Sequence, residues 1–206
     1  MVKRFGARKR WAMVGLAAAL ALCLLAGGCW DYSEIDQRAF AIMIGFDKTP
    51  EGKYQASAEI AVTRFLRGAS GGAGGGGGGA TKPPFRIVTA VGDTPQQAIE
   101  GIRSALFRDL DLGHVKVVVF GEDAAGDGLK QFDWVGRSFR VPNTAFLAVA
   151  HGRAEDSVKA DTPAEELPGL FLYHAFSRKY NRSPDIIPVF LWEGLVKLYQ
   201  ETYQDV

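Results

Sequence analysis

The run AFAIMIGFD, residues 39–47, carries no polar side chain before its final aspartate. A continuous apolar run of strand length reads as a strand covered on both faces. Any fold for this chain therefore has to place cover above and below that strand. The turn residues Thr49-Pro50-Glu51-Gly52 follow. KYQASAEIAVTRF, from Lys53, then alternates imperfectly, with Tyr54, Ala56, Ala58, Ile60 and Val62 on one side. That is a second strand, antiparallel to the first. FRIVTAVG, residues 85–92, is a third.

Between the second and third strands stands GASGGAGGGGGGATKPP, from Gly68. A glycine run loses too much backbone entropy on ordering to hold one conformation. A phosphate-cradling loop would need Lys or Ser/Thr interspersed at fixed spacing, and the run has none at such a spacing. Residues 66–84 are accordingly expected to be a disordered loop inside a domain, since strands flank it.

Thr94-Pro95-Gln96-Gln97 announces a helix: a capping threonine, proline at the first helical position and a glutamine able to close a capping box. Ile99, Ile102, Leu106 and Leu110 extend it as one apolar stripe, with Gly113 as its end. HVKVVVFG, from His114, is a buried strand. A second helix is expected from Gly126-Asp127-Gly128 through Leu129, Phe132, Val135 and Phe139, and TAFLAVAHG, from Thr144, is a further strand. AEDSVKA and PAEELPGLFLYHAFSRKY read as helical, the latter broken by Pro168. NRSPDIIP, residues 181–188, reads as a linker, and PVFLWEGLVKLYQETYQ carries Leu191, Leu195 and Leu198 at helical spacing. The order implies an α+β fold: a mixed β-sheet with helices packed on it, followed by a helical C-terminal segment.

The N-terminus carries a separate signal. Of 24 Lys and Arg residues, Lys3, Arg4, Arg8, Lys9 and Arg10 lie at the extreme start, and no acid precedes Asp31. The remainder holds 19 basic against 23 acidic residues, a net of −4, which gives no electrostatic reason to bind nucleic acid. WAMVGLAAALALCLLAGG follows the basic cluster without a charge. A core helix would need polar flanks, and a transmembrane anchor of about 20 residues is a borderline alternative. A basic n-region, an apolar h-region and then small residues fit an export signal best.

The two cysteines refine that reading. Leu22, a bulky residue, precedes Cys23, whereas Leu25, Ala26, Gly27 and Gly28 precede Cys29. The latter is the layout of a bacterial lipoprotein signal, in which the thiol is alkylated by a diacylglyceryl group and a peptidase then cuts just before it. Leu25 to Gly28 are the expected recognition residues and Cys29 the lipidation site. Each buried methylene contributes about 0.8 kcal/mol, so two acyl chains anchor stably. After processing no intrachain disulfide remains available. Trp30 suits the headgroup region. Asp31 and Glu34 would set a spacing from the membrane, contact a partner or simply keep the tether soluble.

No catalytic constellation emerges. His114, His151 and His174 lack metal-ligand spacing, so neither a metal nor another non-covalent cofactor is expected. Gly121 to Gly126 outlines a phosphate loop but has Asp127 where lysine belongs. No G-x-S-x-G elbow exists. The adjacent acids Glu122-Asp123 and Glu165-Glu166 read as solvated carboxylates at a turn or helix end.

Two stretches together resemble the Ger(x)C family, the lipoprotein C subunits of bacterial spore germinant receptors. GCWDYSEIDQRAFAIMIGFDK, from Gly28, is similar to the family's start, where the lipidated Cys precedes Trp-Asp and an apolar strand ends in Asp-Lys. GHVKVVVFGEDAAGDGL, from Gly113, is similar to its second landmark, a Gly-His-x-Lys strand leading to Phe-Gly-Glu. The polyglycine insertion departs from the pattern. The resemblance implies a non-enzymatic, lipid-anchored subunit on the outer face of the spore inner membrane. Its implied partners are a multi-pass A subunit and a permease-like B subunit. It also implies a signal peptide over 1–28, an N-terminal domain over 29–180, and a linker and helix over 181–206 leading into a C-terminal part absent from this sequence. The competing readings are a solute-binding lipoprotein of a transporter, for which the chain is small, and an envelope hydrolase, for which no nucleophile is visible.

Overall fold

The computed structural model describes residues 10–19, 37–62, 83–126, 133–138, 141–162, 165–177 and 187–204. The chain divides into two units, Met1–Asp36 and Gln37–Val206. In the first, residues 10–19 form a helix with Trp11, Met13, Val14 and Leu16 exposed. Among the described residues, no helix is long and apolar enough to cross a membrane.

The second unit is built on a mixed sheet of seven strands. β1 (Arg38–Lys48) is the covered apolar strand. The turn at Thr49–Gly52 closes with the Gly52 N–H donating to the Thr49 carbonyl at 2.9 Å, and Gly52 takes a φ of 79°, open to glycine without steric cost. The turn returns the chain as antiparallel β2 (Tyr54–Ala61), on which antiparallel β3 (Phe85–Gly92) follows. β5 (Val117–Phe120) and β6 (Phe146–Val149) are parallel additions on the other side of β1, and β7 (Val189–Phe190) closes that edge antiparallel to β6.

A bulge between Ala41 and Met43 sets which side chains face which layer. One extra residue shifts the two-residue alternation by a step. Ala39 and Ala41 before it, and Ile44 and Phe46 after it, consequently all join the core on one face, while Met43 joins the core on the other. The first face is covered by α1 (Pro95–Ala105), α3 (Asp133–Ser138) and α6 (Leu191–Gln204), which contribute Ile99, Ile102, Val135 and Leu191. The second is covered by α4 (Ala154–Val158) and α5 (Pro168–Phe176), with Val158, Tyr173 and Phe176 around Phe146. The α+β expectation holds: a mixed sheet, helices on it, and a helix at the C-terminus.

Four local expectations need correction. The α1 stripe does not run on to Gly113. The helix stops at Ala105, Leu106 is extended, and Asp109–Asp111 forms β4, parallel to the start of β1 with Leu110 opposite Ala39. The Arg38–Asp111 ion pair at 2.8 Å holds that register, and the four-residue spacing of Leu110 was a coincidence of period. The next helix begins earlier than Gly126, as α2 (Glu122–Gly126) directly off β5. Val135 is buried in α3 as its stripe required, while Leu129, Phe132 and Phe139 lie outside the described residues. Pro168 starts α5 instead of breaking a helix, because the first helical position has no use for an N–H. Val189 and Phe190, expected to lead a helix, form β7 before it. Nearly all of the glycine-rich segment, residues 63–82, lies outside the described residues, as do 181–186 of the linker.

Candidate functional site

The two sequence landmarks, Gly45-Phe46-Asp47-Lys48 and Phe120-Gly121-Glu122, meet in space. β1 and β5 are parallel neighbours with Phe46 opposite Phe120, and the Gly121 N–H donates to the Phe46 carbonyl at 2.8 Å. Their rings stack with centroids 5.7 Å apart. β6 ends beside them, so the carboxyl ends of three parallel strands converge, where open sheets flanked by helices place their ligand crevices. A groove of about 770 Å³ lies there, lined by the turn Lys48–Glu51 with Gln55, Asp123 and Arg153. It presents two cations and two carboxylates.

Asp47 immediately precedes Lys48 of the groove lining. It is buried, and its carboxylate accepts the N–H of Ala154 at 2.6 Å and of Glu155 at 2.9 Å, closing the first turn of α4. Burial pushes its carboxyl up, and the two N–H bonds and the nearby Arg153 charge only partly offset that. Gly121 is required beside it, since a Cβ there would collide with Asp47 Oδ1. Glu122, one residue on, lies 2.9 Å from His151 Nδ1 and accepts the Gly152 N–H at 3.3 Å. The His151 contact is the largest cause holding its carboxyl below the ordinary value.

A second interior acid was missed in the sequence. Glu59, in the middle of β2, is fully buried, and its Oε2 accepts the Gly169 N–H at 2.8 Å at the start of α5. Its Oε1 has no hydrogen-bond partner among the described residues. Burial pushes the carboxyl up to about 7 against the opposing effect of Gly169. An acid flanked by alanine and isoleucine, Ala58-Glu59-Ile60-Ala61, was the available signal.

The remaining candidates are dispersed. His114 stacks edge-on against Phe40 at 4.9 Å, and His174 lies 2.8 Å from Glu165 Oε1. Among the described residues, no group of three or more His, Cys, Asp or Glu side chains is placed to hold a metal. Leu25, Ala26, Gly27, Gly28, Cys29, Trp30, Asp31 and Glu34 all lie outside the described residues.

Fold and site together define a mixed-sheet α+β domain whose interior acids hold helix starts and whose polar groove opens at the strand ends. Residues 31–206 match the family model described as the spore germination protein N-terminal domain, and the chain belongs to that family. It is 33% identical over 150 residues to the spore germination protein YfkR of Bacillus subtilis (strain 168), covering 72% of this chain and 38% of that protein. Spore germination protein KC of the same organism is 28% identical over 77% of this chain and 37% of its own length. Spore germination protein B3 is 27% identical over 72% and 37%. The chain thus spans little more than a third of the length of these relatives. No solved structure matches it significantly. A germination-related role follows from the family.

Proposed function

We propose that this chain is a lipid-anchored, non-catalytic subunit of a spore nutrient-germinant receptor. The observation that carries the reading is the family match from residue 31 onward, directly behind Cys29 and its small-residue approach Ala26-Gly27-Gly28. In this reading Cys29 carries a diacylglyceryl lipid and Leu25 to Gly28 are read by the signal peptidase. Trp30, Asp31 and Glu34 lie next to the outer face of the spore inner membrane, and the partners are the A and B membrane subunits. Asp47 and Glu59 are buried and accept helix-start N–H groups, which gives both acids a part in holding the fold together.

Mass spectrometry of the protein purified from spore membranes tests it. The expected N-terminus is a diacylglyceryl cysteine at position 29, lost in Cys29→Ala, with the A and B subunits co-purifying with the parent. Recovery of the natural protein with residues 1–28 attached overturns it. The groove at the strand ends favours one second reading, a solute-binding lipoprotein of a transporter. Calorimetric titration with amino acids and sugars separates the two, since tight binding by this chain alone supports the transporter.

A further inference from the structure

The two ends of the sheet are built differently. β7 is a two-residue strand, short enough to offer no template, whereas β3 at the opposite end is eight residues long. β3 pairs with β2 in one unbroken register, without bulge or proline, and Arg86 is its single charge. Long, regular, weakly charged edges recruit further strands, and folded proteins ordinarily blunt them. Among the described residues β3 pairs with β2 alone.

The phase of its ladder shows which groups face outward. The Val62 N–H donates to the Pro84 carbonyl at 2.7 Å, so the even-numbered positions of β3 make the narrow, hydrogen-bonded pairs with β2. The hydroxyl contact between Ser57 and Thr89 at 3.4 Å agrees, because side chains approach more closely in non-bonded pairs. The N–H and C=O groups of Ile87, Thr89 and Val91 therefore point away from the sheet. Their side chains share one face, on which Thr89 is exposed and Val91 is 51% exposed. On the other face Val88 and Ala90 pack against the core.

We propose that β3 is a dimerisation edge, pairing antiparallel with β3 of a second copy about a two-fold axis at Thr89. The strand is complementary to itself in that register. Ile87 lies opposite Val91 and Thr89 opposite Thr89, all outward-bonding positions, so each pair exchanges both of its hydrogen bonds. β-Branched residues pair across the seam, which is favourable on a pleated face, and exposed Val91 is covered by the partner's Ile87. On the other face Val88 meets Ala90, and Arg86 lies opposite Gly92, over which the start of α1 packs, so no cation is set against it. The contact is isologous and closes on itself, as two-fold interfaces do, consuming the edge instead of propagating it. The self-match in charge, hydrogen-bond phase and side-chain size selects a second copy over a foreign strand.

Sedimentation and light scattering of the full chain in detergent, over a concentration series, test the pairing. The parent is expected to have twice the monomer mass. Thr89→Lys, at an exposed position, sets two cations together on the axis and halves that mass, and Thr89→Glu does the same with two anions. An equimolar mixture of the two variants restores the dimer. Hydrogen exchange on the parent, which needs no variant, should show concentration-dependent protection of the Ile87, Thr89 and Val91 amides. A monomeric parent, a dimer that survives Thr89→Lys, or amides at these positions whose exchange ignores concentration would each overturn the proposal.

Discussion

Glu59 on β2 and Gly169 at the start of α5 lie 110 positions apart in the chain, and the Gly169 N–H donates to Glu59 Oε2 at 2.8 Å inside the protein. The contact is tight: a Cβ on Gly169 would come within 2.8 Å of that oxygen and 2.9 Å of Met43 Cβ. One bond thus ties an apolar helix to the sheet through a carboxyl group that burial pushes up to about 7.

This predicts a pH dependence. A carboxyl whose folded-state pKa is raised from 4.5 to about 7 favours folding while protonated. Its contribution is complete below about pH 4.5 and is lost as pH rises through about 7, a change on the order of 3 kcal/mol. Glu59→Gln should flatten that slope, matching the parent near pH 4.5 and exceeding it in stability at pH 8. Urea unfolding at the two pH values checks it, and identical pH profiles for parent and variant would refute the assignment.

Asp47 has a different vulnerability. Asp47→Ala leaves the Ala154 and Glu155 N–H groups without an acceptor at a mostly buried site. The expected loss is about 2–4 kcal/mol, with Asp47→Asn costing less because its amide oxygen still accepts. Gly121→Ala should also destabilise, since its Cβ collides with the same carboxylate. Denaturant midpoints of the three variants provide the check.

Helix α1 separates local from tertiary stabilisation. Thr94 Oγ1 accepts the Gln97 N–H at 3.2 Å, and Gln97 Oε1 reaches one residue past the cap to accept the Asp93 N–H at 2.9 Å. Thr94→Ala should cost about 1 kcal/mol. Ile102→Ala, at a fully buried position, should cost about 2–5 kcal/mol. Thermal unfolding that ranked the two in reverse order would contradict this packing.

The Glu122–His151 pair should matter little for stability. Both side chains are exposed, and solvent and salt screen such surface pairs until they contribute little. His151→Ala is expected to leave the unfolding midpoint nearly unchanged while moving the Glu122 pKa upward toward its ordinary value, as followed by carboxyl-carbon NMR titration.

What was legible in advance was short-range. The third strand occupies residues 85–92, the span its sequence predicts, because β-branched composition and flanking turn residues mark it within a few positions. The Thr94 cap and Pro95 start were equally local. The same local reading misassigned Leu110, whose helical spacing from Leu106 meant nothing once β1 offered its first residues as a pairing edge. The small residues before Cys29 form a local pattern that reads as a lipoprotein signal, and they lie outside the described residues.

The sequence by itself determined the longer strands β1, β2 and β3, the start and cap of α1 and its apolar stripe as far as Ile102, since periodicity and capping act over a few residues. Only the tertiary structure decided that Asp47 and Glu59 each hold the start of a helix more than a hundred residues away. It also decided that one bulge flips the facing of β1, and that β3 rather than β7 is the long edge. Hydrogen bonds between distant segments, and the register that aligns them, depend on chain paths that no local window contains.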